Sequence, residues 1–387
     1  MRRDRSLIAV ISVCWAIAVA VHGQSPGSRD HEHPLALQPS PRAGLQYPLT
    51  DGTYSPFSLE ALADLTPFKN VTAAGAIAAD RQTKPKPALK KVKREPIDPS
   101  MVGYVDNAVI HTEVRLRFDA ADHDDTPDRA ELFYAKCGCY RFLPPGNPAY
   151  DPSSPGPGPG IPKYVNFQQL YLYGEYAPSR KFSLFGQLPF RWLQPQAASG
   201  VAQAFPNSGG IGDIQVGAKF APISSPTQFL TFQLRSAVPS GDSRKGLGTN
   251  HATIEPMVLY YQNLSDRVSL EAQFGDVHPL SSSKGVPTAG GHGFAGDVIT
   301  YGVGTSYRFL DREEFWMSGV LELVGWNVRG GMATGRVSTD GVNIVNLKVG
   351  PRFSFGAHHS LYVGYGIALT SQTWYREILR TEYRYAF

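Results

Sequence analysis

About a dozen segments of this chain alternate strictly between apolar and polar residues, and this pattern limits the folds that the chain can adopt. Val345, Leu347 and Val349, for example, alternate with Asn346 and Lys348, so the two kinds of side chain fall on opposite faces of a strand. Each segment is about 10–14 residues long, whereas strands of soluble proteins average about 5–6 residues and tilted membrane-crossing strands need about 9–11. The segments are 106–120, 164–177, 180–193, 210–221, 227–238, 251–263, 266–276, 296–309, 314–327, 342–355, 358–370 and 375–387.

The connections between these segments alternate between short and long, which is typical of an up-and-down barrel with tight turns on one rim and long loops on the other. An even number of crossings returns the chain to the rim where it began, so we expect both ends of the barrel on the short-turn side. The short connections are 178–179, 222–226, 264–265, 310–313 and 356–357. The long ones are 121–163, 194–209, 239–250, 277–295, 328–341 and 371–374, the last of which is short for its class.

The pattern therefore predicts an all-β fold, an antiparallel up-and-down transmembrane β-barrel of about twelve strands over residues 104–387. Within hydrocarbon every backbone N–H and C=O group needs a protein partner, so the sheet must close and lose its edges. The apolar face would then contact lipid, and the polar face would line the lumen. A soluble all-β protein, with its apolar faces packed together, is the alternative.

The first part of the chain has a different composition. The basic start "MRRDR" and the apolar run Leu7–Val21 predict a signal peptide over residues 1–23, with an uncleaved anchor as the alternative. Residues 24–103 are rich in Pro and Lys, which favours a mostly disordered periplasmic tail. We expect its basic cluster either to bind an anionic partner such as peptidoglycan or to belong to a soluble linker. This cluster is Lys84, Lys86, Lys90, Lys91, Lys93 and Arg94.

The chain ends on an amphipathic segment in which Tyr383, Tyr385 and Phe387 share one face. An aromatic end of this kind resembles the signal read by the machinery that assembles barrels in the bacterial outer membrane. We therefore expect this location, with outer-membrane lipid and the barrel-assembly machinery as partners. Further aromatic residues near predicted strand ends fit an interfacial girdle, and these are Trp192, Trp316, Trp326, Trp374 and Tyr375.

Neither a cofactor nor nucleic acid is expected. The glycines of "SGGIGDIQVGAKFAP" (208–222) fit neither the G-x-G-x-x-G spacing nor the Walker spacing of phosphate-binding loops. Such a loop leads into a helix, whereas Pro222 follows here. We interpret them as positions on the lumen face or the rim where a larger side chain would crowd the barrel. The net charge is +4 and charged residues make up 18%, which is too little basic excess to indicate a nucleic-acid partner.

Three runs resemble the outer-membrane barrel family that is named for the phenol-degradation meta pathway. They are "GGIGDIQVGAKF" (209–220), "FQLRSAVPSGDSRKGLGT" (232–249) and "AGDVITYGVGTSYRF" (295–309). The family's Gly-x-Gly-Asp strand start matches Gly210 to Asp213, and its Pro-x-Gly-Asp loop start matches Pro239 to Asp242. Members are described as transporters loosely akin to fatty-acid and aromatic-hydrocarbon channels. The resemblance implies a channel or transporter for small solutes, which include hydrophobic or aromatic ones.

By parity, a set of charged side chains faces the lumen. They could orient a passing solute, or they could pair across the lumen and partly fill it, and the two roles overlap. Basic residues outnumber acidic ones, so a hydrated lumen would mildly prefer anions. The candidate solute-path residues are Glu113, Arg115, Arg117, Glu175, Arg191, Asp213, Lys219, Arg235, Glu271, Lys348 and Arg352, with Glu255, Arg308, Glu322, Arg380, Glu382 and Arg384 beside them.

Two other functions remain open from the sequence. A rim hydrolase would use Ser243 with His251 and Asp242, which lie close together in sequence. A purely structural barrel would anchor the basic tail to the cell wall and pass nothing. We expect no enzyme activity.

The only cysteines beyond the expected signal peptide are Cys137 and Cys139, in the longest predicted loop. A disulfide across one intervening glycine is geometrically demanding, so a local disulfide, a free pair and a metal site all remain open. His123 with Asp124 and Asp125 precedes this pair, and His31, Glu32 and His33 lie in the tail. None of these spacings matches a zinc motif, so no metal is expected.

Overall fold

The computed structural model of the protein describes residues 100–129, 131, 138–148, 150–152, 154, 156, 158, 160–196, 206–280, 294–333 and 337–387. The expected signal peptide, most of the expected tail, and Cys137 lie outside the described residues. Among the residues that are described, no helix is long and apolar enough to cross a membrane.

Within the described residues, twelve long strands form one antiparallel sheet. They are β1 (Glu113–Asp124), β2 (Tyr164–Ser179), β3 (Phe182–Gln196), β5 (Ile214–Ser224), β6 (Gln228–Val238), β7 (Thr253–Asn263), β8 (Val268–Pro279), β9 (Asp297–Asp311), β10 (Phe315–Arg329), β13 (Asn343–Phe355), β14 (His359–Ala368) and β15 (Glu377–Ala386). The short strand β4 (Ser208–Ile211) also pairs with β3, and β11 (Met332–Ala333) pairs with β12 (Val337–Ser338) as a small hairpin. Two 3-10 helices, Cys139–Phe142 and Ser243–Lys245, lie in the loops.

The first strand closes the sheet by pairing with the last. The β1–β15 register runs from Glu113 opposite Ala386 to Asp122 opposite Glu377. Each remaining strand pairs with its neighbours around the ring, so the predicted closed barrel of about twelve strands is confirmed.

The predicted start of the first strand is wrong. The sequence places residues 106–112 in the wall, whereas β1 begins at Glu113 and runs on to Asp124. The preceding residues lie inside the barrel, where they are buried by the wall rather than paired in it. The other long strands begin within a few residues of the predicted positions.

The two faces of the wall have the predicted polarity. Val349 and Leu321 point outward and are 53% and 46% exposed, whereas Lys348 and Glu322 beside them point inward and are 2% and 0% exposed. A soluble barrel or sandwich would bury its apolar face instead. This inverted arrangement places hydrocarbon around the barrel and polar groups within it.

The hairpin connections define two rims. The short-turn rim has the connections 180–181, 225–227, 264–267, 312–314 and 356–358, and it also holds the chain end, where the Phe387 N–H donates to the Thr112 carbonyl at 3.0 Å. The opposite rim, called the long-loop rim here, has the longer connections that follow β1, β3, β6, β8, β10 and β14.

Gly217 shows why one glycine of the 208–222 run is needed. A Cβ at this position on β5 would lie 2.3 Å from a ring carbon of Phe185 and 2.5 Å from the Leu234 carbonyl oxygen. We expect Gly217→Val to lower the free energy of unfolding by about 1–3 kcal/mol, because the ring and the backbone must both shift. Urea unfolding in detergent micelles measures this.

Gly174 on β2 provides a matched control, because an added Cβ there meets nothing within 4 Å. Gly174→Val should therefore unfold at the wild-type urea concentration. If both variants lost the same free energy of unfolding, a packing role for Gly217 would be contradicted.

Candidate functional site

Residues 100–112, called the inserted segment here, lie inside the barrel. Ser100 contacts Glu271 near the short-turn rim, and Tyr104 reaches Glu322 halfway along β10. Ile110 packs in a cluster with Phe229, again near the short-turn rim, before the chain enters β1. The segment therefore enters and leaves on the short-turn side and fills that half of the lumen.

Two wall carboxylates bind the backbone N–H groups of the inserted segment. Glu322 accepts hydrogen bonds from the N–H groups of Gly103, Tyr104 and Val105 at 3.1, 2.8 and 2.7 Å. Glu271 accepts from the Met101 N–H at 3.0 Å and from the Ser100 hydroxyl at 2.8 Å. These donors need partners because the segment has left the sheet, and the carboxylates supply them.

Three wall arginines bind the carbonyl groups of the same segment. Arg352 donates from Nε to the Met101 carbonyl at 2.7 Å and from Nη2 to the Val102 carbonyl at 2.8 Å. Arg384 also donates to the Val102 carbonyl at 2.6 Å. Arg380 donates to the carbonyl of Gly103 at 2.6 Å. Side chains of the wall thus take the place of a neighbouring strand.

Apolar contacts complete the fit of the inserted segment. Val102 and Val105 form one buried cluster with Val320 and Val324, which point inward from β10. A wall that is otherwise polar inside therefore has an apolar stripe where the segment lies. The stripe and the hydrogen bonds together fix the segment in one position.

Most candidate solute-path residues point into the lumen and pair there. Ion pairs join Lys219 to Glu175 at 2.8 Å, Arg115 to Glu113 at 2.6 Å, Arg235 to Glu255 at 2.6 Å, Arg352 to Glu382 at 2.8 Å and Arg117 to Asp119 at 3.5 Å. The pairing expected for a poorly hydrated lumen is thus present around the inserted segment.

The remaining candidates have other partners. Arg191 donates to Gln169 and to the Leu247 carbonyl, at 3.2 and 2.9 Å. Asp213 accepts from the N–H groups of Gly241 and Thr249 at 3.0 and 2.8 Å, so it fastens the loop after β6 to the long-loop rim.

A cavity of about 380 Å³ lies between the inserted segment and the long-loop rim. Its lining extends from Tyr104 and Asp106 of the segment to Thr249 and Glu131 in the loops. Seven basic and five acidic residues line it, together with eight aromatic ones. Basic and aromatic side chains therefore dominate the lining of this cavity, which reaches the loops of the long-loop rim.

Several aromatic residues expected at an interfacial girdle lie inside instead. Trp326, Trp374 and Tyr375 line the cavity, and the Trp326 and Trp374 rings lie 4.7 Å apart. Trp192 does point outward and is 43% exposed. Position near a strand end does not distinguish inward-pointing from outward-pointing aromatic residues. Trp326 has the same parity as Glu322 on β10, and this signal could have placed it inside.

The C-terminal aromatic residues occupy the outer face at the short-turn rim. Tyr383 is 41% and Phe387 71% exposed, and the Tyr385 and Phe387 ring centroids lie 4.9 Å apart. This placement leaves the barrel-insertion signal accessible, and its recognition stays a prediction.

The residues of the hydrolase alternative are engaged with loop backbone. Asp242 accepts from the Arg244 N–H at 3.1 Å, capping the helix Ser243–Lys245. His251 is buried, with Nδ1 3.1 Å from the Thr249 carbonyl. These contacts serve the loop and give no support to a Ser243–His251–Asp242 triad.

The structure describes Cys139 and His123, two of the residues weighed as metal ligands, and both have other partners. Cys139 is disulfide-bonded and accepts a hydrogen bond from the Gly160 N–H at 3.4 Å. Because Cys137 lies outside the described residues, its pairing with Cys139 stays a prediction. The His123 ring stacks on Tyr164 with centroids 4.0 Å apart and bonds to Asp122.

A family model described as "Putative MetA-pathway of phenol degradation" matches residues 160–277. The family resemblance noted in the sequence is therefore confirmed over that part of the chain. A search of the curated proteins found no match to this chain.

Three solved structures resemble the barrel at low sequence identity. An outer membrane channel from Pseudomonas putida F1 is 13% identical with a TM-score of 0.47, covering 74% of this chain and 99% of the channel. The KdgM porin is 11% identical with a TM-score of 0.36, covering 71% and 99%. The NanC porin is 8% identical with a TM-score of 0.38, covering 71% and 98%. At these values the three structures add nothing to what the strand pairing shows.

Proposed function

We propose that this chain, whose residues 160–277 match the phenol-degradation family model, spans the bacterial outer membrane and passes small solutes by diffusion. The observation that carries the proposal is the cavity above the inserted segment, which extends from the loops to the middle of the barrel. An apolar exterior around a polar, partly hollow interior suits a protein that passes solutes across a bilayer. In water the same apolar exterior would be exposed to solvent at a cost in free energy.

The short-turn rim faces the periplasm in this proposal, and the long loops face outward. A solute that enters between the loops reaches the cavity and then meets the inserted segment. Passage requires this segment to move, since it fills the half of the lumen beyond Tyr104 and Asp106. The barrel is therefore a gated path, and the segment's hydrogen bonds to the wall set the fraction of time that it is open.

The aromatic lining favours hydrophobic or aromatic solutes over sugars. Phe167, Tyr171, Tyr173, Phe185 and Trp326 all line the cavity, and the guanidinium groups of Arg117 and Arg115 lie over two of these rings, 3.9 and 3.8 Å from their centroids. Flat apolar rings beside fixed charges bind planar molecules well.

Ion selectivity in planar bilayers tests the proposal. The purified full-length protein should conduct intermittently and with a mild preference for anions, because seven basic residues outnumber five acidic ones around the cavity. The reversal potential across a potassium chloride gradient measures this preference. A protein that never conducts would contradict the proposed channel, and a preference for cations would contradict the assigned charge balance.

A further inference from the structure

Lys348 differs from the other buried basic residues of the lumen in having no carboxylate partner. It points inward from β13, is 2% exposed and makes no ion pair within the described residues. Its ammonium group donates one hydrogen bond, to the Tyr375 hydroxyl at 2.7 Å. By contrast, buried Lys219 lies 2.8 Å from Glu175.

The acidic residues closest to Lys348 are already engaged. Glu322 accepts the three backbone N–H groups of the inserted segment. Asp119 binds Arg380 through two hydrogen bonds, both of 2.7 Å. Glu322 lies directly opposite Lys348 in the β10–β13 register, but within the described residues neither carboxylate comes within ion-pair distance of the Lys348 ammonium group. A buried ammonium group without a direct ion-pair partner is costly, so this position favours a bound anion.

Aromatic rings surround the ammonium group on the cavity side. Its Nζ lies 3.7 Å from the Tyr104 ring centroid, 5.5 Å from that of Trp326 and 5.2 Å from that of Tyr375. Trp374 packs against Trp326 behind them. Rings attract a cation but only partly replace its lost hydration, and they leave flat apolar walls beside it.

Lys348, Tyr104, Trp326, Trp374 and Tyr375 all line the cavity of about 380 Å³. This volume is at the lower end of the range for small-molecule sites, and it suits a ligand with a single ring. Across the cavity as a whole, seven basic residues outnumber five acidic ones, so the net charge of the lining favours an anion.

We propose that the cavity holds a binding site for a small aromatic carboxylate, with Lys348 as the partner of the carboxylate group. The ring of the ligand would lie against Trp326 and Tyr375. The inference deepens the proposed channel function and depends on it for physiological meaning, since it names the class of solute that the cavity selects.

Calorimetric titration of the full-length protein in detergent, in chloride buffer, tests the site. Benzoate is the probe, benzamide its neutral counterpart and acetate its counterpart without a ring. We expect saturable benzoate binding, with benzamide and acetate each binding at least about tenfold more weakly. Benzamide lacks the charged carboxylate that would pair with Lys348, and acetate lacks the aromatic ring.

Lys348→Met should weaken benzoate binding at least about tenfold while the barrel stays folded, because it removes an unpaired charge from a buried position. Lys348→Arg keeps the charge and should retain binding. Lys181→Gln, at a short turn, is the matched control and should bind as the wild type does. The shift in electrophoretic mobility on heating checks folding of each variant.

The proposal is overturned if the wild type does not bind benzoate, if Lys348→Met binds it equally well, or if benzamide or acetate binds as tightly as benzoate. Binding in detergent requires no transport. A protein that conducts ions but does not bind benzoate contradicts this inference alone, and one that binds benzoate but never conducts contradicts the proposed channel alone.

Discussion

Glu322→Ala is expected to raise the open probability of the channel about 100-fold. The variant removes the acceptor of three backbone hydrogen bonds from the inserted segment. At about 1 kcal/mol for each bond, the loss is about 3 kcal/mol, and 1.4 kcal/mol corresponds to a factor of ten. Because these bonds form only when the segment is inserted, the loss falls almost entirely on the closed state. Single-channel recording of the full-length protein measures the open probability.

Asp213→Asn is the matched control for Glu322→Ala. Asp213 is also a buried carboxylate that binds backbone N–H groups, but those groups belong to the loop after β6. Its variant should leave the open probability within about twofold of wild type, since it touches no residue of the inserted segment. Equal effects of the two variants would show that the inserted segment is not the gate.

Arg380→Met is expected to lower the free energy of unfolding by about 3–5 kcal/mol. Arg380 on β15 lies directly opposite Asp119 on β1, across the seam where the barrel closes. The two side chains form two hydrogen bonds of 2.7 Å, and Asp119 is 3% exposed. Removal of the arginine leaves a buried carboxylate with a weaker partner, Arg117 at 3.5 Å. Urea unfolding in detergent or lipid measures the change.

Arg376→Met serves as the control for this prediction. Arg376 also bridges the seam, to Asp125 at 3.4 Å, but its side chain is 61% exposed. An exposed pair contributes at most about 1 kcal/mol, so this variant should unfold close to wild type. The double variant Asp119→Asn, Arg380→Met should recover part of the stability that Arg380→Met loses. If Arg380→Met and Arg376→Met lowered the free energy of unfolding by similar amounts, a stabilising role for the buried ion pair at the seam would be contradicted.

The wall of the barrel was predictable from the sequence because its physical cause is local. Each residue of a membrane-crossing strand faces either lipid or lumen, so the polarity of Val349 and Lys348 can be assigned without their neighbours in space. Strand number, the polarity of each face and closure between the first and last strands follow from this alternation.

The inserted segment was not predictable in the same way. Its residues Ala108 and Ile110 share the parity of Val114 and Leu116, the outward-facing residues of β1, so the end of the segment resembles a continuation of that strand. What keeps them out of the wall is a set of distant groups, including Glu322 and Arg352, whose role depends on closure of the sheet. The aromatic cage of Lys348 was missed for the same reason, because it joins residues from the inserted segment and three other parts of the chain.

Disulfide trapping tests the position of the inserted segment most directly. A Cβ built at Gly304 on β9 lies 3.7 Å from the Cβ of Val102, close to the mean separation of about 3.8 Å in disulfides. The pair Val102→Cys, Gly304→Cys should therefore cross-link under mild oxidation, and reduction should restore conductance.

Thr305, the next residue, has the opposite parity and points away from the lumen, so Val102→Cys, Thr305→Cys is the control. Peptide mapping by mass spectrometry distinguishes the engineered bond from any bond of Cys139. We expect a cross-link between positions 102 and 304 and a closed channel in the first variant, and no cross-link in the control. Free thiols in the first variant, or equal cross-linking in both, would contradict a segment held inside the barrel.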